Sequence, residues 1–317
     1  MISKLLFFSS IFLGFPLASY SLSEGRTVEK MPVVVISKVN QNAPKHVVLS
    51  GDTISSIAKL YNVGQKDLIS LNKLKNVDHL VLGQVLKLPQ IALITRSIDP
   101  LTGPRVQLPS YWVGTKKVSK SLAILVMAGH ADSQGIGGAG TPGESVDLKG
   151  ASPMDLNMRD ELYWNLRIRD AVVKLGQEKG LNIISYEPGN RNIVNENDPR
   201  TNWSAGYRHA QKGGYVFEIH FDAYGKYGFG SGLIPALSVG LNLVDESLAQ
   251  TFGRYPHLFR GGLGAARRQI RILEVGKLGG VLEQKLRDTA TREKTLNQIS
   301  ERIVNALLKG VGRLDPA

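Results

Sequence analysis

The sequence contains no cysteine in its 317 residues. This absence excludes disulfides, thiolate catalysis and every zinc site with a cysteine ligand, so a metal must be held by histidine and carboxylate side chains. Long apolar runs are also absent after the first twenty residues, where no segment reaches the length of a transmembrane helix. The chain is nevertheless long enough for two domains and a leader.

Residues 1–21 have the pattern of a signal peptide. One lysine precedes an apolar core, and small residues follow that core. An uncleaved anchor helix is the alternative, but the apolar run is short and Pro16 interrupts it. We therefore expect export to the periplasm or cell wall, with no stable membrane insertion once the leader is removed.

The formal net charge of +12 is a strong compositional bias. Such a charge suits nucleic acid, but an exported protein rarely meets any, so an anionic cell wall or membrane surface is the better partner. Many of the basic residues fall in predicted linkers, where solubility is a sufficient explanation. The charge alone therefore predicts no specific function.

Two residues at the start of the later domain are candidate metal ligands. The run 121–130 is typical of a buried strand followed by a turn, and His130 ends it. Open α/β sheets place their ligands at that end of a strand. Glu161 lies at the start of a predicted helix. It shares the core-facing side of that helix with Asn165 and Ile168, so its carboxylate is expected to face the core. Burying an unpaired carboxylate is costly, which predicts a metal or a strong hydrogen-bond donor nearby.

Two further candidates lie on predicted strands. Within 215–221, alternation places His220 on the same face as Glu218. In the strand predicted over 269–275, Glu274 lies on the same face as the apolar residues two and four positions before it. Partial desolvation raises the pKa of a carboxylate, which suits Glu274 to the role of general base.

Together, His130, Glu161 and His220 predict one zinc site, with Glu274 as a fourth residue, and the set indicates a metal-dependent hydrolase. Each residue alone has a simpler explanation: an ordinary loop histidine, a glutamate at a helix N-terminus or the solvated face of a strand. The interpretation depends on their occurring together at element ends. The other histidines lack such settings and are interpreted as structural or exposed: His46, His79, His209 and His257.

Residues 135–140 satisfy the G-x-G-x-x-G pattern of dinucleotide-binding folds. The pattern does not open a helix directly after a strand, because Thr141, Pro142 and Gly143 follow it. An exported protein also has little access to nicotinamide cofactors. We interpret the segment as a flexible loop at the rim of the site.

The order of predicted elements indicates an α/β domain over residues 121–312, with a mainly parallel central sheet flanked by helices. Upstream, 22–45 is predicted to be a polar, basic tether and 90–120 an extended linker that contains prolines. The strands are predicted over 121–127, 182–186, 215–221 and 269–275, and the helices over 158–177, around 205–211, around 246–252 and near the C-terminus.

Residues 46–89 predict a small module with the order strand, helix, helix, strand. The segment resembles the LysM family in its Gly-Asp-Thr-Ile turn, its Ile-Ala-x-x-Tyr and Leu-Ile-Ser-Leu-Asn helices and its Gly-Gln-x-Leu-x-Leu-Pro ending. The resemblance implies a βααβ domain that binds glycans containing N-acetylglucosamine, peptidoglycan or chitin, in a shallow groove. The alternative is that the groove residues only shape the turn and the core. The candidate glycan contacts are Gly51, Asp52, Thr53, Ile54, Asn76 and Leu80.

Four motifs occur in order in residues 121–312. They are Gly129-His130, the Glu-x-x-x-Asn-Leu helix start at Glu161, Ile219-His220-Phe-Asp222, and Ile272-Leu-Glu274-Val-Gly276. In these motifs the segment resembles the zinc-dependent N-acetylmuramoyl-L-alanine amidases. It departs from the family's Asp-Pro-Gly-His-Gly-Gly opening, which is Met127-Ala-Gly-His-Ala-Asp132 here, and Glu218 replaces the serine that commonly precedes Ile-His.

The resemblance implies one Zn²⁺ per chain, bound by His130, Glu161 and His220, and a catalytic Glu274 that takes a proton from zinc-activated water. The implied substrate is peptidoglycan, cleaved at the amide between N-acetylmuramic acid and L-alanine of the stem peptide. Two alternatives stay open. One is a catalytically inactive peptidoglycan-binding or regulatory protein, and the other is a zinc peptidase that cleaves within stem peptides. No nucleic-acid partner is expected, and the sequence leaves open whether activity needs a protein activator.

Overall fold

A computed structural model describes residues 45–48, 52–60, 65–74, 76, 80–88, 98–106, 112–136, 139–225 and 228–314. The predicted signal peptide, nearly all of the predicted tether and Gly51 lie outside these residues. Within the described residues, no helix is both long enough and apolar enough to cross a membrane.

The N-terminal module has the predicted βααβ order: β1 Lys45–Val47, α1 Ile54–Leu60, α2 Gln65–Leu71 and β2 Val85–Lys87. The two strands pair antiparallel. Asn72 ties the end of α2 to β2, because its side-chain amide donates to the carbonyl of Lys87 and accepts from the N–H of Lys87, each at 2.6 Å. One small core holds the elements together: Val48, Ile54, Ile57, Ala58, Leu68, Leu86 and Leu88.

Residues 98–106 and 112–120, the described parts of the predicted linker, differ from a simple extended chain. Ile98–Asp99 (β3) and Gly103–Pro104 (β4) pair as a two-stranded hairpin. Val106 is buried, and its N–H donates to the carbonyl of Ser231 at 2.8 Å. Trp112 is also buried, and its indole N–H donates to the carbonyl of Tyr255 at 2.7 Å. Two apolar anchors with satisfied polar groups therefore hold this proline-containing segment against the following domain.

The α/β domain contains a five-stranded sheet with the order β6-β5-β7-β9-β8. Four strands run parallel, and β8 pairs antiparallel with β9 at one edge. The mainly parallel sheet confirms the predicted fold class, whereas β8 was not predicted. The strands are β5 Ile124–Ala128, β6 Ile183–Ser185, β7 Tyr215–Asp222, β8 Gly232–Ile234 and β9 Arg271–Lys277.

Helices cover both faces of this sheet. On one face, α4, α6, α8 and α9 enclose the larger core, and on the other α5 and α7 cover a smaller one. The short helices α3, α7 and α8 were not predicted. The helices are α3 Glu144–Lys149, α4 Asp160–Glu178, α5 Asn202–Gln211, α6 Leu243–Phe252, α7 Gly264–Arg267, α8 Gly280–Arg287 and α9 Arg292–Gly310, with a 3₁₀ turn at Phe259–Gly261.

Side chains alternate along β7 as predicted. Val216 packs into the smaller core, while Glu218 and His220, on the same face, line a cavity. Their position follows from strand geometry, because the opposite face is fixed by aromatic and branched side chains that are worth roughly 1.5–3 kcal/mol each when buried. The residues that face the larger core are Tyr215, Phe217, Ile219 and Phe221.

Candidate metal centre

The carboxyl ends of β5, β7 and β9 meet at one edge of the sheet, and three of the four predicted residues lie there. His130 follows β5 directly after Gly129, and His220 on β7 pairs in register with Glu274 on β9. A cavity of about 510 Å³ opens at this edge and is lined by all three side chains. This is the edge at which open parallel sheets place their ligands.

Glu161, the fourth residue, approaches from the first turn of α4 and is 3% exposed. Its Oε2 accepts a hydrogen bond from the N–H of Thr141 at 2.6 Å. Its Oε1 lies 3.4 Å from Nε2 of His130 and 3.2 Å from Nδ1 of His220. Oε1 also accepts a hydrogen bond from the N–H of Phe221 at 3.3 Å, so backbone N–H groups hold both carboxylate oxygens while Oε1 faces both imidazoles.

These three side chains fit a zinc ion. Their ligand atoms all lie within 4.8 Å of one another. Zinc bonds of about 2.0–2.1 Å in a tetrahedron place ligand atoms about 3.3–3.4 Å apart, and the distances from Glu161 Oε1 to the two imidazole nitrogens are 3.4 and 3.2 Å. Two histidines and one carboxylate also form a known catalytic zinc set, which keeps a fourth position open.

The charges around His130, Glu161 and His220 favour binding of a cation. Burial opposes ionisation of Glu161, but His130 and His220 outweigh it and hold the pKa of that carboxyl well below its usual range. Burial likewise opposes protonation of His220, yet Glu161 and Glu218 raise its pKa well above the ordinary value. The cavity thus concentrates negative charge around the two imidazoles.

Glu274 differs from the other three residues in its hydrogen bonding. Its Oε2 is buried and has no hydrogen-bond partner among the described residues. Burial and the nearby Asp222 carboxylate raise the pKa of Glu274 to about 8, against the lowering effect of His220. A carboxylate poised near neutral pH, with an unsatisfied oxygen inside a cavity, has the properties of a general base.

This shift predicts a pH-dependent cost to stability. Between the ordinary pKa of 4.5 and about 8, folded chains retain a proton that unfolded chains release, so stability falls as pH rises through this window. We expect metal-free Glu274→Gln to exceed metal-free wild type in stability above pH 8 by on the order of a few kcal/mol. The difference should vanish below pH 4.5. Urea denaturation of chelator-treated proteins across this range measures it, and parallel pH profiles would contradict it.

A tight turn positions His130. Its φ of 64° lies in the left-handed region, which costs a non-glycine residue on the order of 1–3 kcal/mol. Asn165 donates to the carbonyl of Gly129 at 3.1 Å, and Asn202 donates to the carbonyl of Ala128 at 2.7 Å. A side chain at Gly129 would collide with the ring of His220. The sequence placed Asn165 on the inward stripe, but only the fold shows the role of Asn202.

Apolar and acidic side chains line most of the cavity. In the described part of the predicted rim segment, Ile136 and Ala139 line the cavity, and Gly140 lies next to His130 and Glu161. Among the described lining residues, Arg260 is the only arginine or lysine. The remaining apolar lining comes from Ile193, Val194, Trp203, Leu263, Ala265 and Ile272, and the acids are Asp132, Glu196, Glu218 and Glu274.

Only some of the predicted glycan contacts of the N-terminal module have side chains at its surface. Ile54 is 4% exposed and belongs to the core, so its side chain shapes the fold. Asp52 lies 2.7 Å from Nε2 of the buried His46, which makes that histidine structural as predicted. Gly51 lies outside the described residues. The candidates with side chains at the surface are Thr53, Asn76 and, partly, Leu80.

Comparison with known proteins addresses the N-terminal module directly. The family model described as LysM domain matches residues 46–89. These residues form a LysM domain. The N-acetylmuramoyl-L-alanine amidase XlyB of Bacillus subtilis (strain 168) is 39% identical over 84 residues, which cover 26% of this chain and 25% of that protein. The chain therefore matches about a quarter of that relative's length, and the match lies in the LysM region.

Several solved structures are similar to about three-fifths of this chain. N-acetylmuramoyl-L-alanine amidase AmiC2 of Nostoc punctiforme has a TM-score of 0.38 at 16% identity, covering 61% of this chain and 98% of that chain. The catalytic domain of the amidase CwlV from Bacillus (Paenibacillus) polymyxa var. colistinus has a TM-score of 0.40 at 17% identity, covering 59% and 97%. Ami1 from Mycobacterium smegmatis has a TM-score of 0.41 at 14% identity, covering 62% and 100%.

Proposed function

We propose that this chain is an exported peptidoglycan hydrolase, an N-acetylmuramoyl-L-alanine amidase that uses one zinc ion and Glu274 as its base. The observation that carries the proposal is the meeting of His130, Glu161 and His220 at ligand distances, next to a buried Glu274 oxygen without a partner. Residues from four separate elements supply this arrangement. A purely structural polar cluster would be expected to satisfy the Glu274 carboxylate internally.

The ion, Glu274 and Glu161 have different roles in the proposed reaction. When bound, a zinc ion supplies Lewis-acid polarisation of the amide carbonyl and a nucleophilic water at neutral pH. Glu274 accepts a proton from the attacking water as the new carbon–oxygen bond forms, and returns that proton to the departing amine as the carbon–nitrogen bond breaks. The Thr141 N–H fixes Glu161, so its other oxygen stays directed at the two imidazoles.

The LysM domain supports peptidoglycan as the substrate. A weak wall-binding domain joined to a hydrolase raises the local concentration of the scissile bond without adding a contact at the active site. The leader pattern of residues 1–21 supports export to the periplasm or cell wall, and the net charge of +12 suits an anionic wall. The name of the Bacillus subtilis relative points to the same substrate.

The LysM groove is tested by replacing Asn76 with alanine. Loss of one glycan hydrogen bond is expected to weaken binding to insoluble peptidoglycan by roughly 2- to 10-fold, while hydrolysis of a soluble muramoyl peptide is unchanged. Co-sedimentation measures the first and product release the second. Ser70→Ala, an exposed position on α2, is the matched control. Equal binding of both variants would exclude Asn76 from the groove.

Muropeptide analysis tests the activity. Digestion of purified peptidoglycan by the zinc-loaded chain is expected to release free stem peptides that begin with L-alanine, together with glycan strands free of peptide. Cleavage within stem peptides would show a zinc peptidase instead. Binding without any new product would show a non-catalytic wall protein.

A further inference from the structure

Glu218 has no part in the mechanism above, although it lies against one of the metal ligands. Its side chain is 3% exposed and lines the same cavity. Its Oε2 lies 3.4 Å from Nε2 of His220, while Nδ1 of the same ring lies 3.2 Å from Oε1 of Glu161. The two ring nitrogens of His220 therefore face two different carboxylates.

These contacts assign different tasks to the two nitrogens. A neutral imidazole binds a metal through one nitrogen and carries a proton on the other. Nδ1 faces Glu161, and so faces the position that the ion would occupy. Nε2 is then the nitrogen that carries the proton, and Glu218 is placed to accept it in a hydrogen bond. A carboxylate in this position fixes the tautomer and orientation of a metal-binding histidine and increases its basicity.

Packing alone would not select this arrangement. The His220 ring lies against Gly129, and a half-turn of the ring would occupy nearly the same space. That turn would direct ring carbons at both carboxylates. Within the described part of the chain, His220 is the one side chain that hydrogen-bonds Glu218, so the turned ring would leave a buried carboxylate unpaired, at high cost.

We propose that Glu218 is a positioning residue of the metal centre: it accepts a hydrogen bond from Nε2–H of His220 and directs Nδ1 to the ion. This inference rests on the proposed function in one respect, that the site binds zinc. It adds a residue that acts through His220 and touches neither the ion nor the substrate.

Variants separate the hydrogen bond from the charge of Glu218. In Glu218→Ala both are lost, and the zinc Kd, measured by chelator competition, is expected to rise about 10- to 100-fold. Glu218→Gln keeps an accepting oxygen, so a smaller rise is expected. Glu196→Gln is the control, because Glu196 lines the same cavity but pairs with Arg268 at 3.1 Å. It removes a charge without touching His220 and should change the Kd least.

The visible spectrum of the cobalt-substituted protein separates a change at the metal centre from general destabilisation, which would not shift the absorption bands. The visible absorption bands of Co²⁺ report ligand geometry, so we expect shifted bands in Glu218→Ala and wild-type bands in Glu218→Gln. Circular dichroism checks that each variant is folded. Unchanged zinc Kd and cobalt bands in folded Glu218→Ala would overturn the inference while leaving the metal site intact.

The wild-type protein provides a test that needs no stable Glu218 variant. In zinc-loaded protein with ¹⁵N-labelled histidine, long-range ¹H–¹⁵N correlations show which ring nitrogen carries the proton, and a His220→Ala sample assigns the signal. We expect the proton on Nε2 and the metal on Nδ1. The reverse would overturn the role of Glu218, whereas wild-type protein that binds no zinc at all would instead overturn the proposed function.

Discussion

Replacing Glu274 with glutamine is expected to abolish amide hydrolysis while zinc content stays near one ion per chain. Glutamine preserves the shape of the side chain but cannot accept the proton of the attacking water. General acid–base catalysis contributes about 10²- to 10⁴-fold in rate, so the hydrolysis rate should fall by at least about 10²-fold. The ligand set of His130, Glu161 and His220 is untouched, which is why the metal should remain.

The control for this variant is Glu196→Gln. Glu196 is an exposed acid at the same cavity and pairs with Arg268 at 3.1 Å. Its replacement removes one negative charge from the cavity and should change the rate little. Product release from a soluble muramoyl peptide, together with elemental analysis, measures both variants. Full activity in Glu274→Gln would remove Glu274 as the base.

Replacing His130 with alanine is expected to remove the metal and the activity together. The remaining Glu161 and His220 would offer two ligand atoms, too few for a catalytic zinc site. Loss of an outer hydrogen-bond partner already weakens metal binding 10- to 100-fold, so loss of a ligand should weaken it by more than roughly 100-fold. His220→Ala should behave in the same way.

Two comparisons keep this test specific. His257 is exposed, so His257→Ala should retain about one zinc per chain and full activity. Removal of zinc by a chelator should lower the thermal unfolding midpoint of wild type but leave that of His130→Ala unchanged, because only the wild type has an ion to lose. A stoichiometric zinc that persists in His130→Ala would contradict the ligand set.

Much of this arrangement follows from short-range patterns in the sequence. The stripe on α4 predicted that Glu161 and Asn165 face inward, and both are buried. Alternation along β7 predicted that Glu218 and His220 share a face, and both line the cavity. In each case the pattern is strong because one side of the element is fixed by burial, which leaves a single register for the polar residues.

Other features depend on contacts between distant parts of the chain. Local periodicity carries no signal for Asn202, which reaches the carbonyl of Ala128 from α5. Strand β8 has three residues, too few to show a period. Trp112 anchors a proline-containing segment through a hydrogen bond to Tyr255, far along the chain. The link between Glu218 and His220 requires the orientation of one ring, which spacing in the sequence does not specify.

In the proposed reaction, water attacks the lactyl carbonyl of N-acetylmuramic acid at the candidate metal centre. Digestion of peptidoglycan in H₂¹⁸O by the zinc-loaded wild-type protein, followed by mass spectrometry of both products, tests it most directly. We predict one ¹⁸O in the new carboxylate of the muramic acid and none in the released peptide that begins with L-alanine. An ¹⁸O label in a peptide carboxylate, with muramic acid unlabelled, would contradict cleavage at this amide.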